Sequence, residues 1–284
     1  MQIEVIIEKK SHKLDAEEGK TILETLQEHG IHVLTAPCGG RGRCGKCTVE
    51  VEHMGEVLAC MTKVTDGMRI TIPKVQLRAQ KSKIAENGTV THYPADDGEG
   101  LDAACDIGTT TVVCHLIDGK TGEKLATVSE PSAQRSFGAD VLSRIQAAEA
   151  GKLEILKEQI IFQIAQMLRT LQKKTGRGEQ IQRLAVVGNT VMCHLFAGIS
   201  PVSIGVTPFM PQEFFGKEYT GEQLGLTDCR SVYIAPAVAG FVGGDITSDL
   251  LAVMQKKPKD KVLLLDIGTN GEMAVGNEDQ IYCC

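Results

Sequence analysis

Four cysteines in the first quarter of the chain constrain its fold more than any other feature. Cys38, Cys44, Cys47 and Cys60 fall within 23 residues, separated by five, two and twelve residues. Ten cysteines would suit the disulfide scaffold of a secreted domain only in a chain much shorter than 284 residues. The clustering therefore indicates that these four thiols bind metal.

The spacing of the four cysteines favours a [2Fe-2S] cluster, because a plant-type centre takes three thiolates from one loop and a fourth from elsewhere. Glycines in this loop allow positive φ and expose backbone N–H groups to sulfur atoms. They are Gly39, Gly40, Gly42 and Gly45. Zinc is the alternative, since four cysteines also form a tetrahedral site. Such sites favour two Cys-x-x-Cys pairs, however, and this region has one.

Three cations lie among these glycines, at Arg41, Arg43 and Lys46. They either offset the charge of the cluster or face an electron-transfer partner. The alternative is that they are simply solvated, as most cations in loops are.

The residues around the cysteines predict a compact β-grasp. Residues 2–8 (QIEVIIE) alternate as a half-buried strand does, and a second short strand follows through Leu14. Thr21 and Glu24 form a capping-box pair at the start of a helix that Gly30 ends. Two further strands are predicted, over residues 48–52 and 69–72.

A change of texture near position 100 indicates a second domain. We assign residues 1–75 to the cysteine-bearing domain, and residues 76–100, which have little apolar periodicity, to a linker. From Leu101 onward, buried strand-like runs alternate with helical stretches, as in an α/β domain. The clearest helix lies within residues 152–173.

Two similar turns in the second domain predict a phosphate site. Residues 104–110 (ACDIGTT) and 264–270 (LLDIGTN) each run from an apolar strand into Asp-Ile-Gly-Thr. In such a hairpin, backbone N–H groups and hydroxyls surround a phosphate while the aspartate holds Mg²⁺. One copy alone is most often an ordinary turn, whereas two copies favour nucleotide binding. The predicted site residues are Asp106, Gly108, Thr109, Thr110, Asp266, Gly268, Thr269 and Asn270.

Two segments between these hairpins are further candidates. Gly188-Asn189-Thr190 follows another apolar strand, and Asp245 stands at a junction between a strand and a helix. Asp245 is the predicted catalytic residue, which would orient an attacking water. The alternative for Asp245 is structural, as the N-cap of the helix.

Taken together, these motifs resemble those of a known family. The cysteine loop resembles that of the ferredoxin superfamily, and the paired hairpins resemble the phosphate motifs of actin, sugar kinase and heat-shock chaperone ATPases. The combination resembles the reductive activators of corrinoid proteins over essentially the whole chain. Four further stretches carry the likeness: residues 137–145 (FGADVLSRI), 187–190 (VGNT), 238–245 (VAGFVGGD) and 265–272 (LDIGTNGE).

The resemblance implies an α+β β-grasp ferredoxin domain followed by an α/β actin-like ATPase domain of ribonuclease H-like fold. Residues 101–260 would be the first ATPase lobe, and residues 261–284 the start of a C-terminal lobe. Members of the family continue well beyond the second hairpin, so we expect the ATPase domain to be incomplete at its C-terminus. ATP and Mg²⁺ would then bind well only with the missing part.

The function implied by the resemblance is ATP-dependent reduction of a corrinoid protein of a methyltransferase system, from Co(II) to Co(I), through the [2Fe-2S] cluster. An upstream electron donor is then required, and a homodimer is left open. One alternative is an electron carrier or docking module whose ATPase-like half is a non-catalytic scaffold. Another is the activator of 2-hydroxyacyl-CoA dehydratases, but that family holds a [4Fe-4S] cluster between subunits and lacks this N-terminal loop.

Composition and charge exclude several partners. Thirty basic against 36 acidic residues leave a net charge of −6, which argues against nucleic acid. No apolar run reaches the roughly 20 residues that a membrane helix needs, and the N-terminus does not resemble a signal peptide. We therefore expect a cytoplasmic protein with no membrane partner.

Overall fold

The computed structural model describes residues 1–73, Tyr93, 98–258 and 260–284. These residues form two compact units. The first contains the residues up to position 73 together with Ala133–Ala147, and the second contains the other described residues. Apart from Tyr93 and residues 98–100, the predicted linker lies outside the described residues.

The first unit is built on a five-stranded mixed sheet of order β2-β1-β5-β3-β4. Its central strands β1 and β5 are parallel, and the other pairings are antiparallel. The predicted β-grasp is therefore confirmed, although its fourth strand was missed. The strands are β1 Gln2–Ile7, β2 Lys10–Asp15, β3 Thr48–Val51, β4 Gly55–Leu58 and β5 Arg69–Thr71.

One helix, α1 Ile22–Glu28, packs its apolar residues into the core of this unit. The predicted capping box is present. Thr21 Oγ1 accepts from Glu24 N, and Glu24 Oε2 accepts from Thr21 N at 2.9 Å. Leu23 N also donates to Ala59 O at 2.9 Å, so the start of the helix is tied to the segment that carries Cys60.

The second unit is built on a six-stranded mixed sheet of order β10-β11-β9-β6-β7-β8. Strands β6, β7 and β8 form an antiparallel meander, and β9 and β11 run parallel to β6. An antiparallel meander whose first strand, β6, is extended by the parallel strands β9 and β11 is the ribonuclease H-like topology. The predicted fold is therefore confirmed. The strands are β6 Leu101–Ile107, β7 Thr111–Asp118, β8 Lys124–Pro131, β9 Ile181–Val187, β10 Lys217–Thr220 and β11 Cys229–Ile234.

The α-helices described after α1 all come later in the sequence than the β6–β8 meander. A short helix, α2 Val141–Ala147, belongs to the first unit and is followed by a kink where Gly151 has φ 83°. The long helix α3 Leu153–Thr175 confirms the prediction, packs on β7 and β8, and ends at Gly176 with φ 70°. The remaining helices described are α4 Thr190–Ala197, α5 Gly221–Leu224 and α6 Gly244–Met254.

A separate antiparallel sheet, β12-β13-β14, completes the second unit. Its strands are β12 Val262–Ile267, β13 Gly271–Gly276 and β14 Ile281–Cys283. Val242 and Ile246 pack on Ala274 and form a small core between α6 and this sheet. Across the residues that the structure describes, no helix has the length and apolar character needed to cross a bilayer.

Candidate functional site

The four cysteines of the first unit stand in two pairs. Cys44 Sγ lies 3.3 Å from Cys38 Sγ, and the thiols of Cys60 and Cys47 are also within hydrogen-bonding distance of each other. No three His, Cys, Asp or Glu side chains among the described residues form a group that could hold a single metal ion. Two thiols on each side suit a cluster of two iron atoms, in which each iron takes two protein ligands.

Backbone N–H groups surround the half-buried pair, Cys38 and Cys44. Burial raises the pKa of the Cys38 thiol, but hydrogen bonds from the backbone and thiol of Cys44 and from the backbone of Arg43 and Arg41 outweigh it. The net effect lowers that pKa to about 6. Donors that stabilise a thiolate also stabilise the negative charge of a reduced iron–sulfur centre.

The buried pair has the opposite character. Burial, followed by the hydrogen bond and charge of the Cys47 thiol, raises the pKa of Cys60 to about 12. Gly42 N–H opposes this shift as a donor. A buried thiol such as that of Cys60, which resists ionisation, is stabilised as a thiolate when a metal cation takes the place of its proton.

Glycine suits the loop because of its backbone conformation. Positions 39, 40, 42 and 45 all have positive φ, between 63° and 81°, where side chains other than glycine are strained. The donor arrangement, the paired thiols and the glycine backbone together fit a [2Fe-2S] cluster.

The two predicted hairpins of the second unit meet at their tips. Thr110 Oγ1 in the β6–β7 turn lies 2.7 Å from Thr269 Oγ1 in the β12–β13 turn. The first turn needs glycine because a Cβ on Gly108 would lie 2.5 Å from the backbone oxygen of Thr111. The second turn is closed by Gly268 N, which donates to Asn270 O at 3.0 Å.

Helix α4 contributes a third element to this site. Asn189 is its N-cap and accepts from Met192 N at 3.0 Å. Its Nδ2 donates to Thr109 Oγ1 at 2.9 Å. The predicted Gly188-Asn189-Thr190 turn is therefore attached to the first hairpin, and it presents the N-terminus of a helix, an arrangement that favours anions.

Helix α6 begins beside α4. Asp245 N donates to Gly188 O at 3.2 Å, and a Cβ on Gly243 would lie 2.5 Å from Thr190 N. The alternative that Asp245 is the N-cap is wrong, because Gly243 holds that position and Asp245 is the second helical residue. The side chain of Asp245 accepts from Ile246 N at 2.9 Å.

A group of carboxylates lies where these elements meet. Asp106 keeps part of its surface in contact with solvent, yet desolvation of its carboxyl, reinforced by the charges of Asp245, Asp249 and Asp266, raises its pKa to about 7. Desolvation is also the main cause of raised pKa values at Asp245, Asp249 and Glu272. Carboxylates that repel one another in this way are stabilised by a cation.

Comparisons with known proteins match two regions of the chain. Residues 4–74 match a 2Fe-2S iron-sulfur cluster binding domain. Residues 101–257, more than half of the chain, match the RACo middle region. The chain belongs to the RACo family.

Relatives of this RACo family chain include two curated enzymes. The chain is 29% identical to the corrinoid activation enzyme RamQ of Eubacterium limosum, over 88% of its length and 55% of that protein's. It is 28% identical to the [Co(II) methylated amine-specific corrinoid protein] reductase of Methanosarcina barkeri, over 63% of its length and 34% of that protein's. The chain thus spans about half of the first relative and a third of the second.

A solved structure shares the fold. The reductive activator for corrinoid, iron-sulfur protein superposes with a TM-score of 0.63 at 25% identity, covering 99% of this chain and 62% of that one. The fold and the 2Fe-2S domain predicted for this chain are confirmed by these comparisons.

The structure brings the predicted site residues together in two places. Cys38, Cys44 and Cys47 lie in the loop before β3 and Cys60 follows β4, with its thiol next to that of Cys47. The residues of both hairpins face one another with Asp245 beside them. Sequence reasoning missed Asp249 and Glu272. A signal for Asp249 was available, because it follows Asp245 by four positions and so lies on the same helix face.

Proposed function

We propose that the chain takes part in the ATP-dependent reductive activation of a corrinoid protein, a one-electron reduction of Co(II) to Co(I) through its [2Fe-2S] cluster. The observation that carries this proposal is the presence of two sites in one chain of the RACo family. One site is the paired-thiol loop, and the other is the acidic double hairpin. The curated relatives named for corrinoid activation support the choice of substrate.

The electron-transfer half of the proposal rests on the first unit. When bound, a [2Fe-2S] cluster supplies a centre that takes up and releases one electron at a time. The chain holds it with Cys38, Cys44, Cys47 and Cys60, and the backbone donors at Cys38 stabilise the added negative charge. Arg41 and Arg43 are exposed beside these ligands and would face the corrinoid protein or the upstream electron donor.

The nucleotide half of the proposal explains how the reduction is driven. The reduction potential of a plant-type [2Fe-2S] centre is about −400 mV. In this proposal that potential is too high for the cluster to reduce a Co(II) corrinoid without ATP. ATP binding would favour the activated complex by its different affinity for the two states. The ATPase therefore serves to shift an equilibrium.

Particular residues would bind Mg²⁺ and the phosphates. Mg²⁺ prefers carboxylate oxygens, waters and substrate phosphates, and Asp106 and Asp266 are the proposed ligands. The hairpin hydroxyls and N–H groups would hold the phosphates, through Thr109, Thr110, Thr269 and Asn270 together with the turns at Gly108 and Gly268. Asp245 would orient the attacking water, and its raised pKa suits a group that accepts a proton.

The experiment that tests the proposal measures ATP hydrolysis with and without a Co(II) corrinoid protein, in parallel with the appearance of Co(I) in its absorbance spectrum. Stimulated hydrolysis together with Co(I) formation is expected. If the rate of ATP hydrolysis does not change when the corrinoid protein is added, and no Co(I) forms, the proposal is rejected. The chain would then be an electron carrier or docking module with a non-catalytic ATPase-like scaffold.

Because the chain spans about half of its first curated relative, the experiment is run on the chain alone and on a longer form where one exists. Activity confined to the longer form would assign part of the nucleotide site to residues beyond those described. A cytoplasmic location completes the proposal, which leaves open whether the protein is a homodimer. The native mass of the protein in solution tests the latter.

A further inference from the structure

A segment far from the cysteines in sequence belongs to the same compact unit. Residues Ala133–Ala147, here called the strip, follow β8 and precede α3. Both of those elements belong to the second unit, whereas the strip belongs to the first. The strip lies outside residues 4–74, which match the 2Fe-2S domain.

One end of the strip is bonded to helix α1. Gln27 Nε2 donates to Ser136 O at 2.8 Å, in a buried bond that joins residues 109 positions apart. Gln27 is only 5% exposed, which is unusual for a glutamine on the helix of so small a domain. A buried amide of this kind is retained where its hydrogen bond is made.

The next residues of the strip contact the start of the cluster loop. Ala139 N donates to Pro37 O at 3.2 Å, immediately before Cys38. Phe137 O approaches Gly39 so closely that a Cβ there would lie 3.3 Å from it. The ring of Phe137 also packs at a tilt against that of His32, with centroids 6.4 Å apart. The strip therefore contacts the loop on both sides of Cys38.

The strip has a fixed conformation of its own. Arg144 is fully buried, and its guanidinium donates to Gly138 O and to Gln134 Oε1, both at 3.3 Å. Glycine at 138 allows the strip to fold back, because a Cβ there would lie 2.3 Å from Ser143 Cβ. The backbone groups that face the cluster loop are thus presented by a rigid turn.

We infer that the strip is part of the cluster site and that Gln27 is a positioning residue, which holds the strip against the Pro37–Gly39 end of the loop. The strip limits the access of water to that end of the loop and fixes the backbone on either side of Cys38. Cluster stability and reduction potential then depend on residues that the cysteine motif does not include. This inference depends on the [2Fe-2S] cluster alone and not on the ATPase or the corrinoid partner.

The test compares two glutamine variants of the full chain after anaerobic reconstitution with iron and sulfide. Gln27→Leu keeps the size of the side chain and removes its bond to Ser136 O. The control is Gln172→Leu, which removes a bond of the same type and length, from Nε2 to Glu179 O at 2.8 Å, in the second unit. Two quantities are measured: the rate at which a chelator removes iron, and the midpoint potential from electron paramagnetic resonance during a redox titration.

We expect Gln27→Leu to lose iron about ten times faster than the unmodified chain, the fold-change that corresponds to about 1.4 kcal/mol. Its potential should rise, because water that reaches the loop stabilises the added electron. Gln172→Leu should match the unmodified chain in both measurements. Unchanged rate and potential in Gln27→Leu, or equal changes in both variants, would overturn the inference.

A second variant covers the case in which Gln27→Leu does not fold. Phe137→Leu keeps an apolar side chain in the strip and removes the ring contact with His32. It is expected to shift the same two quantities in the same directions while circular dichroism stays that of the unmodified chain. A folded Phe137→Leu chain with unchanged iron release and potential would also overturn the inference.

Discussion

The hydroxyl oxygen of Thr110 lies 2.7 Å from that of Thr269, although 159 positions separate the two residues. This contact joins the β6–β7 turn to the β12–β13 turn. The two turns carry the same Asp-Ile-Gly-Thr sequence, and the structure places their tips face to face. A phosphate bound between the turns would contact two hairpins that belong to different sheets.

Removal of one hydroxyl should weaken nucleotide binding. We expect Thr110→Val to raise the Kd for Mg-ATP about fivefold, because a hydrogen bond contributes a net of about 1 kcal/mol. Calorimetric titration measures the change. Thr121→Val is the control, since Thr121 makes similar turn bonds to Asp118 in the β7–β8 hairpin. An equal Kd for both variants would remove Thr110 from the site.

Loss of one buried cluster ligand should release iron. Cys60 is paired with Cys47. A complete [2Fe-2S] centre has about two iron atoms per chain, and we expect Cys60→Ser to retain clearly fewer. Iron and sulfide assays after reconstitution measure this. Cys229→Ser is the control, because Cys229 is also buried but lies in the second unit. Full iron content in Cys60→Ser would show that Cys60 is not a ligand.

Local signals explain why so much of both sites could be predicted. The cysteine spacing, the glycines of the loop and the capping pair at Thr21 and Glu24 all act within a few residues, so the sequence displays them directly. The repeated Asp-Ile-Gly-Thr turns are equally local. Only their meeting at Thr110 and Thr269 needed the assembled sheets.

Long-range contacts explain what could not be predicted. The bond from Gln27 to Ser136 O spans 109 positions, and nothing in the sequence near either residue indicates a partner. The carboxylate of Asp249 approaches Asp266 only after α6 packs on the last sheet, whereas Glu272 lies opposite Asp266 in the β12–β13 hairpin. Edge strand β4 was missed because its residues are exposed or half-buried with no alternation between buried and exposed positions.

The raised pKa of Asp106 predicts an inverted pH dependence of stability. An ordinary aspartate has a pKa of about 3.9 when unfolded, against about 7 here, so the folded chain binds the extra proton between those values. Its contribution to stability is full below about pH 4 and is lost as the pH rises through about 7. Stability should therefore fall from pH 5 to pH 8, by an amount that solvent screening of this exposed carboxyl reduces.

Urea unfolding at several pH values, followed by circular dichroism because the chain has no tryptophan, measures this dependence. Asp106→Asn should flatten the fall between pH 5 and pH 8. Saturating Mg²⁺ should flatten it as well, because a bound cation displaces the proton. A slope that survives in Asp106→Asn would assign the effect to other carboxyls of the group.

Charge on the cluster loop should control how fast the partner associates. Arg41 and Arg43 are exposed beside the cluster ligands, so the double change to glutamate replaces attraction for an acidic surface by repulsion. We expect the association rate with a Co(II) corrinoid protein, measured by stopped flow at low salt, to fall about tenfold, and the difference to shrink as salt is added. The double variant and the unmodified chain must first be shown to hold the same amount of iron.

Arg230→Glu serves as the control, because Arg230 is exposed on β11 in the second unit and its reversal changes the net charge by −2, half of the change in the loop variant. If it slows association by at least half as much on a logarithmic scale, bulk charge is responsible. If neither variant changes the rate at any salt concentration, the partner does not approach through this loop. The solvated alternative for Arg41 and Arg43 is then the correct one, because charges that steer a partner must act over the Debye length and be screened by salt.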